Sequence, residues 1–526
     1  MEATEKIPGF AKARISAERN ARRRKQPEIV LYEIYEEIES EYKSYIDLEM
    51  KYEKQVLQQN VEMKSVFDCV ISLNKTVILA SDMYLPSKFI DNVLKLKGFD
   101  GYHKLFVSGE HRTSKGTGGL FKVILKDLGI EPCDLLHIGD NDKSDIRIPK
   151  NIGINVIKYE NITERYLRSH KKERVYYRLR RNYERSVIVG IDALFRYNTH
   201  KKNDNFWYNF GYRYGGPVNT AFASFINENA EKDSVLFFIA RDGYNAQKAY
   251  NILFGKIENH YIYAARRFNI LFGINGRDYP GYEEDIIDYF SDHPEVRELS
   301  GTPHEILIEN PELFERLMEK ELTKYKSYID CYTKHGNSIY VVDASTRKFS
   351  SQKLIDEVTN KSVKGLYYVL LRNKSDDNAK GFCDNYRSFF ELTAIDVPEF
   401  LMSSDEKPIV SIDDSGYPVY DSNSNEWFRT DVMPKMTAGM TDYFETVKSV
   451  FGDFIPVINH DSVNRWILNL SRFMSKEEQE YFDTLNWTSD PTHSEYHKLF
   501  FSLSDVPRFI LNKVKDGYES IMSRIK

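Results

Sequence analysis

Residues 135–146, LLHIGDNDKSDI, constrain this chain more than any other stretch. A short apolar run ends in Gly139-Asp140, and a second acid, Asp145, follows five residues on. That pattern predicts a buried strand running into an acidic loop, with a glycine where the backbone must turn sharply. Two carboxylates at such a turn suit a hard cation such as Mg²⁺, which takes oxygen ligands and keeps several waters. The plain structural alternative is a solvated acidic turn after a core strand.

The surroundings make this strand one of a set. From 66 to about 159 the sequence alternates strand and helix. Strands are expected at 76–80, 104–107, 134–138 and 154–158, and helices at 88–97 and 118–128. Strands separated by helices of this length form a parallel sheet with right-handed crossovers. Ligands of such sheets sit outside the carboxyl ends of the strands. A second alternating region, 206–420, has strands expected at 234–239, 260–264, 338–342 and 365–371, and a hairpin around 414–416. Before these regions, 1–65 reads as helical. Between them, 163–205 is a strongly basic helical connector, and 421–526 is mixed and mostly helical. The expected fold class is therefore α/β, with two Rossmann-like sheets in a chain too long for one core.

Composition narrows the function classes. With 41% hydrophobic residues and a formal charge of −6, the chain has ample core material and no nucleic-acid coat. Cys69, Cys133, Cys331 and Cys383 form no CxxC pair, which argues against a disulfide framework or a zinc knuckle and fits a reducing cytoplasm. The charged N-terminus has no apolar core like that of a signal peptide, and no run is long enough to span a bilayer. The basic connector allows at most a peripheral contact with anionic lipid or a glycan-lipid phosphate; a solvated linker helix is the plainer reading.

Three strand ends of the first region carry chemistry. Strand 76–80 runs into Ser81-Asp82-Met83-Tyr84, placing a hydroxyl and free N–H groups where a phosphoryl oxygen would sit. Ser114-Lys115-Gly116-Thr117-Gly118-Gly119 sets a lysine ahead of a glycine-rich helix start, within reach of the same anion. Gly139-Asp140 and Asp145 complete the set. Hydroxyl, lysine and acidic pair on successive strand ends suit phosphoryl transfer with Mg²⁺. His137 lies within the apolar strand and reads as a satisfied core histidine.

This order resembles the haloacid dehalogenase (HAD) superfamily, whose second motif is matched by Ser81, third by Lys115 and fourth by Gly139-Asp140 with Asp145. The wording ASDMYLP, SKGTGGLF and HIGDNDKSD is similar to a HAD branch found with bacterial surface-polysaccharide genes. That branch also carries elements like Ala240-Arg241-Asp242-Gly243-Tyr244 and Val341-Val342-Asp343, although Ala344-Ser345-Thr346-Arg347 replaces its glycine-rich continuation. The resemblance implies a HAD-like core at 66–162, with 1–65 a remnant of the helical cap. It implies Mg²⁺-dependent hydrolysis of a phosphorylated small molecule, such as a sugar phosphate. Ser81, Asp82 and Lys115 would bind phosphate, Asp140 and Asp145 would serve the metal, and Ser81, Lys115 and Asp145 would serve catalysis.

The superfamily's first motif, DxDxT, is missing. It supplies the aspartate nucleophile from the central strand, and its absence would leave a gap in the sheet with unpaired backbone groups. The expectation is either a longer gene product or a natural form without the nucleophile. The latter would be a phosphate-binding scaffold or partner of glycan-assembly enzymes. Asp140-Asn141-Asp142 also fits the short DxD of a nucleotide-sugar glycosyltransferase, and a glycosyltransferase acting through the second region is a third reading. An EF-hand is excluded by Ile146 and Asn151, and a P-loop by the lack of Gly-Lys-Ser/Thr. In the second region Arg241, Asp242, Arg266 and Asp343 are expected to converge at strand ends as an anion or sugar-phosphate site. The alternative is an Arg–Asp pair that caps the sheet.

Overall fold

The structure is a computed structural model. It describes residues 1–485 apart from residue 3 and residues 26–27, 180–181, 199–202, 272–282, 347–348, 371–377, 385–395 and 422–425. The chain divides into two compact units: Met1–Lys202 with Thr446–Val457, and Asn203–Glu445 with residues from Ile458 onward. Both are α/β, as the strand–helix alternation predicts. Among the described residues no helix is long and apolar enough to cross a membrane.

The first unit holds two separate parallel pairs. β1 (Ile78–Ser81) pairs with β2 (Lys104–Val107), and β3 (Leu136–Gly139) with β4 (Asn155–Lys158). Among the described residues no strand joins β1 to β3. One apolar core nevertheless serves both pairs. Leu120, Phe121 and Ile124 of the helix Gly119–Leu128 are buried against Phe106 of β2 and Ile154, with Ile78, Ala80, Leu135 and Ile148 packed around them. The helix ends where Gly129 takes the left-handed conformation, at φ 65°, which glycine adopts without a steric cost.

The N-terminal stretch, expected as helix throughout, is broken into Phe10–Arg24, Leu31–Glu37, Ile46–Val56 and Val61–Ser72. These helices bury Phe10, Ala17, Ala21, Leu31 and Ile34, and Leu85 from the loop after β1 joins the same cluster. The Leu31 N–H donates to the Tyr84 carbonyl (2.8 Å), fixing the helical layer to that loop. Inside it, Arg14 Nε and the Tyr35 hydroxyl both donate to Glu49 Oε2 (2.9 and 2.7 Å), so the buried carboxylate is paired. The basic connector forms helices Ile162–Ser169, Lys171–Leu179 and Tyr183–Tyr197.

The second unit is built on one continuous parallel sheet in the order β6-β5-β7-β8-β9. Its strands are β5 (Val235–Ile239), β6 (Glu258–Ile262), β7 (Ser338–Thr346), β8 (Ser362–Leu370) and β9 (Ala379–Asp384). β5 is VLFFI and buried at every residue, the continuous apolar run expected of a strand covered on both faces. The helix Tyr244–Leu253 follows, burying Asn245, Ala246, Ala249, Tyr250 and Leu253. The chain steps from β5 out to β6 and then returns to β7 on the other side of β5. The strand order therefore reverses between β5 and β7. The expected hairpin is present as β10 (Ile409–Ile412) against β11 (Pro418–Tyr420). β9 was not anticipated from the sequence.

Candidate functional site

Lys115 is the centre of the first unit's site. Its backbone N–H donates to Asp82 Oδ1 (2.8 Å), just beyond the end of β1, and its Nζ donates to Asp145 Oδ1 (2.6 Å), in the π-helical turn Asp142–Arg147 that follows β3. One residue thereby ties together the carboxyl ends of two strand pairs that share no ladder. The Lys115 side chain is only 12% exposed and that of Asp145 5%, so their attraction is little screened by water, against the cost of desolvating both charges, and removing one partner would leave the other buried and uncompensated.

Asp145 is held from several directions. Besides Lys115, His137 Nε2 lies 3.0 Å from its Oδ1, and the Asn141 N–H donates to its Oδ2 (3.1 Å). Burial by itself pushes this carboxyl up. Hydrogen bonds from His137 and Lys115, the Lys115 charge and the Asn141 N–H outweigh it and hold the carboxyl well below the usual carboxylate range. Gly139 is required here: a Cβ on it would lie 2.6 Å from both Cβ and Cγ of Asp145. The Asn141 side chain caps the turn, accepting from the Lys143 and Ser144 N–H groups (both 3.0 Å).

Each residue expected at this site can now be placed. Ser81 is half-buried at the last position of β1, and its hydroxyl has no protein partner among the described residues. Asp82 orients the Lys115 backbone. Asp140 is exposed at the end of β3, and its Oδ2 accepts from Asn161 Nδ2 (3.2 Å). Asp145 was expected to serve the metal or Lys115. Both its oxygens accept hydrogen bonds, Oδ1 from Lys115 Nζ, which is the Lys115-supporting contact expected of it, and Oδ2 from the Asn141 N–H. Among the described residues no three His, Cys, Asp or Glu side chains are grouped to hold a metal. The donors present fit Mg²⁺, which uses one or two carboxylates and completes its shell with water and substrate phosphate. Were Mg²⁺ bound here, the exposed Asp140 carboxylate would be its protein ligand.

His137 was read from the sequence as a core residue, and it does pack edge-on against Phe121, with ring centroids 5.0 Å apart. It also touches Asp145. The signal was present: strand alternation puts His137 and Gly139 on one face, and a side chain crossing Gly139 reaches His137.

In the second unit Arg241 and Asp242 stand just past the end of β5. They are neighbours of opposite charge, yet each is held by a different residue. Arg241 NH1 donates to Glu426 Oε2 (2.8 Å), and Asp242 Oδ1 accepts from the Ser403 hydroxyl (3.0 Å). Behind them Arg429, 1% exposed, donates twice to Glu426 (2.8 and 3.1 Å), once to Ser403 Oγ (3.1 Å) and once to the Ser404 carbonyl (2.8 Å). Burial, and then the nearby Arg241 charge, pull the Arg429 guanidinium below the ordinary arginine range. Asp343 lies on β7, the strand beside β5, and accepts from the Ala344 N–H (2.8 Å) and the Ser351 hydroxyl (3.5 Å). The Arg266 side chain lies outside the described residues. Glu426, Arg429 and Ser403 were missed, being far along the chain with no motif to mark them.

No family model matches the chain, and no curated protein matches it either.

Proposed function

We propose that the first unit binds a phosphate monoester with Mg²⁺ in the manner of HAD phosphohydrolases, a sugar phosphate being the substrate class. The observation that carries this reading is Lys115, held between Asp82 and Asp145 beside the unpartnered Ser81 hydroxyl. Ser81 would donate to one phosphoryl oxygen, and Lys115 would neutralise another. Asp145 and His137 would fix the amine by holding it from behind. Asp140 would hold the metal, which supplies charge neutralisation and orients the phosphate. Hydrolysis further requires an attacking carboxylate, which the HAD resemblance assigns to a strand between β1 and β3.

A second reading is a binding protein without hydrolysis, working beside cytoplasmic glycan-assembly enzymes. It needs only the set of Ser81, Lys115 and Asp145 that would hold a phosphate, and no attacking carboxylate. Calorimetric titration with Mg²⁺ tests what the two readings share. Asp140→Asn is expected to abolish Mg²⁺ binding, and retained binding would sink both. Turnover of a chromogenic phosphate monoester then separates hydrolase from binder.

A further inference from the structure

The carboxyl edge of the second unit's sheet carries its own set of polar residues. In an open parallel sheet the crevice for a ligand lies outside the carboxyl ends of the strands where their order reverses. Here that point is between β5 and β7. Arg241 and Asp242 stand at the end of the first of these strands, and Asp343 and Ser345 lie along the second. The residue after helix Asp396–Met402, Ser403, reaches Asp242, while Glu399 of that helix accepts from Ser345 Oγ (3.3 Å). Both strand ends are therefore tied to one helix. The sheet beneath is sealed, with β5 buried throughout, whereas Arg241, Asp242, Asp343, Ser345 and Glu399 are all only partly buried.

The pairing at Arg241 and Asp242 distinguishes a site from a structural cap. A cap would join these two opposite charges to each other. Instead each is fixed from behind by the buried Glu426, Arg429 and Ser403 frame. Among the described residues, Asp242 Oδ2 and the remaining Arg241 N–H groups have no hydrogen-bond partner, although the Arg429 charge lies near Asp242. Burying such a frame is costly, and it preorganises one open donor and one open acceptor side by side. An ammonium ligand only donates, and a phosphate dianion only accepts. A pair of neighbouring hydroxyls does both, donating to Asp242 and accepting from Arg241. We propose that this edge binds the vicinal hydroxyls of a hexose, independently of the phosphate site in the first unit.

Saturation-transfer NMR on the full chain, with the methyl α-glycosides of glucose, galactose, mannose and N-acetylglucosamine as probes, tests this. Transfer to the ring protons of at least one is expected. It should weaken about tenfold or more in Asp242→Asn, the scale of losing a hydrogen bond to a charged group. It should persist in Lys115→Met, which alters only the first unit's site. Arg241→Lys, which keeps the charge but loses the planar fork, is the second variant should Asp242→Asn fail to fold, and the same loss is expected. The proposal is overturned if no glycoside shows transfer or if transfer survives both substitutions. It is equally overturned if inorganic phosphate, and no glycoside, binds in an Arg241-dependent way.

Discussion

Both units of this protein use parallel strands and helices, yet they hold their functional residues in opposite ways. In the second unit β5 has a partner on each side, β6 and β7, and is buried at every residue. In the first unit β1 and β3 each have one partner among the described residues; every residue of β1 is only partly buried, and Leu136 of β3 is 54% exposed. A continuous sheet fixes its strand ends by backbone bonding and packing, so the side-chain frame behind Arg241 and Asp242 orients those residues without having to hold the strands together. A divided sheet lacks that constraint, and here side chains replace it. Lys115 reaches Asp82 on one half and Asp145 on the other, and those bonds position the site itself. The geometry of the first unit's candidate site therefore depends on the same side-chain bonds that hold its strand pairs together.

Substitutions in the sheets test this contrast most strongly. Phe237→Ala in β5 removes a side chain of 0% exposure and is expected to cost about 3–5 kcal/mol. Trp207, Trp427 and Trp466, the tryptophans among the described residues, all belong to the second unit, so denaturant unfolding followed by tryptophan fluorescence in a Trp487→Phe background reads that unit. An effect under about 1 kcal/mol would mean that the sheet is not the keystone described. Hydrogen exchange gives the next largest contrast. Amides of β5 are expected to exchange about a hundredfold more slowly than those of β1, since opening β5 disrupts two ladders and a sealed core. Equal protection would show that β1 has a second partner and would break the comparison.

The sequence made these two sheets unequally legible. The run at 234–239 and the helix at 244–253 could be read because continuous apolar strands and helical spacing are local signals. The positions of Ser81, Lys115, Asp140 and Asp145 were legible for the same reason: glycines and strand ends mark where backbone turns and ligands approach. What was not legible is whatever depends on contacts distant in sequence. The role of Asp145 depends on His137 and Lys115 claiming its oxygens, and the frame behind Arg241 depends on Glu426 and Arg429 folding back across the sheet. Local pattern marked the first break in the N-terminal helices, where Pro27 precedes Leu31, whose N–H meets the Tyr84 carbonyl, but not the later breaks between Glu37 and Ile46 and between Val56 and Val61.

The smaller effects lie at the side-chain tie itself. Lys115→Met removes one partner of a buried carboxylate that His137 and Asn141 still hold, so the expected loss at pH 7 is about 1–3 kcal/mol. It should appear in far-UV circular dichroism and leave the tryptophan transition in place. The pH dependence of that loss follows from the direction of the Asp145 shift. Its carboxyl is held below the ordinary value of about 3.9, so the folded state favours the ionised form. Such a group contributes its full stability above about pH 4 and loses it as the pH falls toward and through the depressed value. Removing Lys115 withdraws part of the cause, and the variant has less of this contribution to lose. The stability gap between the two proteins should therefore be constant from pH 7 to about 5 and shrink steadily below about 4. A gap that stayed the same at pH 3 would mean that the lysine stabilises by packing its stem rather than by its charge, and the tie between the two half-sheets would then be steric rather than ionic.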